Sequence, residues 1–413
     1  MKIFIFSLFF LTGPLYASET LNESFARLLR HHRVSPLSEQ SYCYLENNEV
    51  RGFQAEKKQR IASLTKLLTT LLAVKKADLK TRFQTNVFIS GSRIHISGGQ
   101  DPYWEEDKLL LLLKALNELG ISEVEELSFD ENFIFTDLAF GSHADITPSH
   151  SAERLRHLLS PSGSKTIASL WSNVRAFAGE EGLDLPSSPP RFRTKRIRIS
   201  TENPLENENP LAFQHTSKTL GEILKAMNVM SKNHVSQNIY RQLTQDESFE
   251  SFMVKLGFEK SDFTINNGSG LPTLSLARQD NEATCSLILR SLEILEEEVQ
   301  KQGISLSDIL AVVGSSDLGS FRNRFKNYPG LSSGLMAKTG TLRHTSSLAG
   351  YLSLGSLSPF AILNHTTAAA NARTFQESFV ASLFSELGNP ISIPYEKISI
   401  FPWDGSNFLT PIL

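Results

Sequence analysis

Ile61-Ala62-Ser63-Leu64-Thr65-Lys66-Leu67 opens a run in which Leu64, Leu67, Leu68, Leu71, Leu72 and Val74 recur at helical spacing, so residues 62–78 read as a helix. Ser63 and Lys66 stand three residues apart and therefore share a face. A serine hydroxyl is a weak nucleophile until a base takes its proton. A lysine one turn later can be that base when burial or a neighbouring cation lowers its pKa. The unpaired N–H groups of the helix start are suited to hold an oxyanion. Alone, S-x-x-K is most often an ordinary serine and a solvated lysine. A second copy, Ser162-Gly163-Ser164-Lys165, follows Pro161, and no helix is expected to hold that pair in register.

Two further stretches join it. Ser231-Lys232-Asn233 falls between helices expected at 217–230 and 234–244. A hydroxyl and an amide at a helix junction can relay a proton and grip a peptide, although an N-cap is the commoner use of such an Asn. Its rival, Ser236-Gln237-Asn238, lies inside the second helix, where i and i+2 diverge. Lys338-Thr339-Gly340-Thr341 occurs once and leads into the apolar segment Leu348 to Leu352, on or before an edge strand. Glycine there lets a backbone approach closely. The lysine and threonine can receive a carboxylate, and the Thr341 N–H can be a second oxyanion donor.

S-x-x-K, S-x-N and K-T-G in this chain order form the signature of penicillin-binding proteins and class A β-lactamases. The chain resembles the D-alanyl-D-alanine carboxypeptidases/endopeptidases of the class C low-molecular-mass penicillin-binding proteins, from the mature N-terminus to about residue 365. Beyond the three motifs, the resemblance rests on Gly98-Gly99-Gln100-Asp101-Pro102, Asn267-Gly268-Ser269-Gly270-Leu271 and Val313-Gly314-Ser315-Ser316-Asp317-Leu318-Gly319-Ser320-Phe321. It implies an α+β fold, a penicillin-binding/transpeptidase-like domain in which an antiparallel sheet is flanked by helices, with a smaller inserted domain. It implies catalysis by Ser63, Lys66, Ser231, Asn233 and Lys338, and substrate binding by Thr339, Gly340 and Thr341. The implied substrates are peptidoglycan stem peptides, with β-lactams as inhibitors.

The chain departs from that pattern at five places. Ile61 replaces Pro, Lys232 replaces Asp, Asn267 replaces Asp, Gly319-Ser320-Phe321 replaces Gly-Thr-Leu, and Gln237 stands where an acidic residue is usual. None removes a catalytic atom. Lys232 is expected either to add positive charge near Lys66 or to point to solvent. A class A β-lactamase would need Glu followed four residues later by Asn, and no such pair occurs. The alternatives are a β-lactamase-like hydrolase and a catalytically weak peptidoglycan-binding protein of the same fold.

The rest of the chain sets the frame. It has 413 residues, with 41 Lys+Arg against 44 Asp+Glu, a balance that gives no electrostatic case for nucleic acid. Met1-Lys2, the apolar run Ile3 to Leu11 and Ala17 read as a secretory signal peptide, 1–17, too short to span a bilayer. Export to the periplasm is expected, with at most peripheral membrane contact. Residues 18–82 plus 201–413 are expected to form the peptidase domain and 83–200 the insert. The early hairpin and the late strands are expected to share one sheet. Cys43 and Cys285 pair in an oxidising compartment, but two such distant cysteines are more often buried thiols. His143, His150 and His157 lack ligand spacing, and neither metal nor cofactor is expected. Gly330-Leu331-Ser332-Ser333-Gly334 fits G-x-S-x-G but follows Pro329, so a loop is expected. Arg191, Arg193, Lys195, Arg196 and Arg198 read as a solvated strand face.

Overall fold

The computed structural model describes residues 20–136, 147–274, 278–314 and 319–412. The signal-peptide run, His143 and Ser315-Ser316-Asp317-Leu318 lie outside the described residues. The first sheet runs, in spatial order, Ala311–Val312, Leu335–Leu342, Thr345–Ser353, Leu357–His365, Gln40–Glu46 and Glu49–Phe53. Every pairing in it is antiparallel. The early hairpin therefore does lie beside the late strands, with Tyr42 opposite Ile362.

Both faces of this sheet are covered, which is why Thr345–Ser353 is buried at every residue. One face carries the helices Leu21–His31 and Ala369–Leu387, where Phe25 packs between Tyr42 and Phe379. The other face carries Cys285–Lys301, and Thr65–Lys76 packs against that helix. Thr65–Lys76 is buried from Thr65 to Val74, an interior helix rather than a two-faced one. Cys43 and Cys285 form a disulfide between the sheet and the Cys285–Lys301 helix, so they are not free thiols.

A second sheet runs Thr410–Pro411, Leu211–Thr219, Arg82–Ser90, Arg93–Ser97, Glu123–Phe129 and Arg193–Ile199. Its last two pairings are parallel and are bridged by helices, Glu106–Glu118 in the first crossover and Pro148–Leu158 and Ser164–Glu180 in the second. It has its own core around Trp104, Phe129, Phe133 and Trp171. This unit extends past the expected boundary at 200, because Leu211–Thr219 pairs with Arg82–Ser90. The strand escaped notice because two of its buried positions are His215 and Ser217, which break the apolar alternation. The C-terminal stretch crosses from one unit to the other. Ile391 N–H donates to the Ser353 carbonyl, and Phe401 and Phe408 end in the second core.

Two discarded motifs differ from expectation in detail. Pro161–Gly163 is a 3-10 turn running straight into the Ser164–Glu180 helix, so Ser162 and Lys165 do sit at a helix start. The Ser162 hydroxyl nevertheless bonds Ser160 Oγ at 2.8 Å. The G-x-S-x-G stretch contains one helical turn, Pro329–Ser332, instead of a loop. The basic strip forms the edge strand Arg193–Ile199, where Lys195 pairs with Glu125 and Arg196 with Glu126. Charged side chains on an edge strand discourage strand addition.

Candidate active site

Ser63 lies on the turn Ala62–Leu64, just before the Thr65–Lys76 helix. Ala62 adopts φ 49°, a left-handed conformation that costs a non-glycine residue energy and that recurs at functional turns. The turn is fixed from three sides. Ser347 Oγ donates to the Ile61 carbonyl at 2.9 Å. Thr65 Oγ1 donates to the Ala62 carbonyl at 2.8 Å. Gly270 lies so near that a Cβ there would stand 1.9 Å from the Ala62 carbonyl oxygen.

Lys66 Nζ lies 3.1 Å from Ser63 Oγ, 2.8 Å from Asn233 Oδ1 and 2.7 Å from the Ser269 carbonyl. The side chain is fully buried. Burial first, and the Lys338 charge second, hold its pKa well below the usual lysine range. Asn233 opens the Asn233–Leu243 helix, and Ser231 ends the Leu220–Met230 helix with φ 57°. Lys338 Nζ donates to Ser231 Oγ and to the Thr339 carbonyl, each at 3.0 Å. Burial pulls the Lys338 pKa down to about 7.

The Leu335–Leu342 strand comes this close because Gly340 has no side chain. A Cβ at Gly340 would lie 2.2 Å from Ser347 Oγ and 2.7 Å from the Ile61 carbonyl oxygen. Ser63, Ser231, Asn233, Thr339 and Thr341 all line one cleft of about 800 Å³. A neighbouring cleft of about 500 Å³ shares Ser231 and Asn233 and runs toward Leu170, Val174 and Phe177 of the second unit. The three motifs thus meet at one place.

Lys232 follows neither expectation. Its ammonium pairs with Glu105, lies 3.5 Å from Asp107 and sits 4.5 Å from the Tyr103 ring centre. Burial opposes its charge, but Asp107 and Glu105 overcome that and hold its pKa well above the usual range. The insert's two carboxylates hold it, and the charge that acts on Lys66 is that of Lys338.

Sequence reasoning missed the Ser269 carbonyl as a ligand of Lys66. The only signal was the turn chemistry of Asn266 to Gly270. Asn267 builds that turn: its Oδ1 accepts from the N–H groups of Ser269 and Gly270, and its Nδ2 donates to the Leu271 carbonyl. An aspartate could not make the last bond. Gln237 Oε1 accepts from the Gly268 N–H at 2.8 Å, so the helix after the second motif also buttresses this turn.

Fold and site geometry together are similar to those of penicillin-binding serine peptidases. The resemblance read from the sequence holds: residues 194–384 match the D-Ala-D-Ala carboxypeptidase 3 (S13) family. Among solved structures, the chain is similar to a predatory peptidoglycan endopeptidase from Bdellovibrio bacteriovorus, with 27% identity and a TM-score of 0.77, over 90% of this chain and 98% of that one. The penicillin G acylated form of that endopeptidase, in complex with an immunity protein, matches with 26% identity and a TM-score of 0.74, over 90% and 99%. Penicillin-binding protein 4 from Haemophilus influenzae shares the fold, with 16% identity and a TM-score of 0.57, over 88% and 99%. No curated protein sequence matches the chain.

Proposed function

We propose that this protein is a serine-type D-Ala-D-Ala carboxypeptidase, with DD-endopeptidase action, that cuts peptidoglycan stem peptides through an acyl-enzyme on Ser63. One observation carries the reading: the three partners of Lys66 Nζ. Asn233 Oδ1 and the Ser269 carbonyl can only accept. A neutral Lys66 gives them its two N–H bonds and turns its lone pair to Ser63 Oγ. Burial and Lys338 favour that neutral form.

The steps follow from the contacts. Lys66 takes the Ser63 proton as Ser63 Oγ bonds to the carbonyl carbon of the penultimate residue. The N–H groups of Ser63 and Thr341 hold the oxyanion, an effect worth about 3–4 kcal/mol per donor in other hydrolases. Ser231, bonded to Lys338, passes a proton to the leaving amine as the C–N bond breaks. Asn233 orients the peptide, and Lys338, Thr339 and Gly340 form the strand edge that receives it. Water then adds to the acyl carbon and gives its proton to the Ser231–Lys338 pair, while Lys66 returns its proton to Ser63 Oγ as the ester bond breaks.

The endopeptidase component is supported by the similarity to a peptidoglycan endopeptidase. Periplasmic export is supported by the N-terminal apolar run and by the disulfide, which persists in oxidising compartments. Among the described residues no helix is long and apolar enough to cross a membrane. The test is mass spectrometry of the protein after penicillin, with a digest of purified peptidoglycan resolved into monomers and crosslinked dimers. A long-lived adduct on Ser63 with loss of D-Ala and of dimers is expected, both abolished by Ser63→Ala. Rapid turnover of the adduct makes the protein a β-lactamase, and no adduct makes it a binding module.

A further inference from the structure

The basic strip at 191–198 divides in two. Lys195 pairs with Glu125, and Arg196 and Arg198 share Glu126. Arg191 and Arg193 are exposed and pair with no carboxylate of the described residues. These two line a cleft of about 420 Å³ in the inserted unit, away from Ser63. That volume falls within the roughly 300–1,000 Å³ of ligand-binding pockets. The cleft adds one carboxylate, Glu123, the hydroxyls of Ser122 and Ser160, and the apolar side chains of Ile167, Pro189 and Phe192.

The wall of this cleft is held in shape by its neighbours. Trp171 Nε1 donates to the Pro186 carbonyl at 3.0 Å and Arg175 Nε to the Leu185 carbonyl at 3.2 Å. Asn117 Nδ2 donates to the Arg191 carbonyl, and Asn117 Oδ1 accepts from the Arg191 N–H, each at 2.8 Å. Pro189 and Pro190 fix φ between these anchors. A preformed wall spares a ligand the cost of ordering it. Guanidiniums that donate to ring and amide oxygens, a carboxylate that accepts from hydroxyls, and apolar side chains for acetyl methyls suit a neutral, N-acetylated sugar chain. A polyanion would meet repulsion from Glu123.

The cleft is built on the helix that also walls the reaction site. Ile167 of this cleft and Leu170 of the 500 Å³ cleft stand three residues apart on Ser164–Glu180. From Ser164 to Phe177 the helix covers about 20 Å, at about 1.5 Å per residue. Four stem-peptide residues, extended at about 3.3–3.6 Å each, reach about 13–14 Å. The two lengths are of one scale. We infer that this cleft is an exosite for the N-acetylated glycan strand of peptidoglycan, held so that the stem peptide it bears reaches the reaction cleft. The choice of ligand rests on the proposed peptidase reading.

The experiment uses the full chain, Arg191→Gln, Arg193→Gln and Lys195→Gln. Each is measured for calorimetric binding to amidase-released, peptide-free glycan strands, for product release from intact sacculi, and for hydrolysis of a diacyl-L-Lys-D-Ala-D-Ala peptide. The parent is expected to bind the strands. Each arginine variant is expected to bind them about 10-fold or more weakly, the size of a lost charge-assisted hydrogen bond. Its kcat/KM should fall by a similar factor on sacculi and hold on the free peptide, which also reports an intact fold. Lys195→Gln should match the parent throughout. The inference is overturned if the parent ignores the strands or prefers a phosphodiester wall polymer, or if both arginine variants bind as the parent does. It is also overturned if Lys195→Gln loses binding equally, which would mean a diffuse positive field. If penicillin does not label Ser63 in the parent, the peptidase reading itself has failed, and strand binding still decides the exosite.

Discussion

The ammonium of Lys232 pairs with the carboxylate of Glu105, tying the middle residue of the Ser231-Lys232-Asn233 motif to the residue that starts the Glu106–Glu118 helix of the inserted unit. The second unit is thereby tied to the turn that carries Ser231 and Asn233, two residues that line both neighbouring clefts.

Breaking this pair leaves largely buried carboxylates without their counter-ion. Lys232→Met is expected to destabilise the protein by about 3–5 kcal/mol, measured by urea unfolding. Lys232→Asp, which restores the residue usual in the family, is expected to be worse, since it sets a third carboxylate against Glu105 and Asp107. A Lys232→Met, Glu105→Gln double mutant should recover part of the loss. Full additivity would show that the two groups do not interact.

Lys338 gives a pH signature. Its pKa is about 7 in the fold and about 10.4 in an unfolded chain. Between these values the unfolded chain holds the extra proton, so stability rises with pH across that window; below about 7 the full cost is present. Lys338→Met should therefore be more stable than the parent at pH 6, by at most about 1.4 kcal/mol for each pH unit of the window. The advantage should vanish near pH 10. Thermal melts at pH 6, 8 and 10 check the sign.

In the proposed mechanism Lys66 sets the acid side of activity. Its pKa is lowered, and only the neutral amine can take the Ser63 proton. Penicillin acylation is expected to rise with pH as Lys66 is deprotonated. Lys66→Met should slow it by about 10²- to 10⁴-fold, the usual worth of a general base. A pH-independent acylation rate in the parent would remove Lys66 from that role.

Gly340→Ala should push the Leu335–Leu342 strand off the Ser63 turn, since the new Cβ meets Ser347 Oγ at 2.2 Å and the Ile61 carbonyl at 2.7 Å. A loss of about 1–3 kcal/mol is expected. The acylation rate should fall on the order of a hundredfold, because an ångström of misplacement at the reacting atoms costs that much. An unchanged rate would mean that the strand can yield without moving the site.

The Cys43–Cys285 bond closes a separation of 242 residues. Replacing both cysteines by alanine should cost about 2–5 kcal/mol, seen as a lower melting temperature. Adding reductant should lower the parent's melting temperature and leave the double variant unchanged.

The sequence by itself nominated the residues of the proposed chemistry. Ser63, Lys66, Ser231, Asn233 and the Lys338–Thr341 strand could be named because each local pattern, a helix start, a helix junction and a strand edge, is written in nearby residues. The same local logic found the hairpin and the late strands. Tertiary structure alone decided what lies next to what. The Ser269 carbonyl reaches Lys66 across 203 positions, Glu105 reaches Lys232 across 127, and Arg373 reaches Thr341 from a separate helix. Such contacts carry no spacing signal. They exist because early and late strands pair in one sheet that helices cover on both faces, and packing and charge compensation then choose among neighbours that periodicity cannot see.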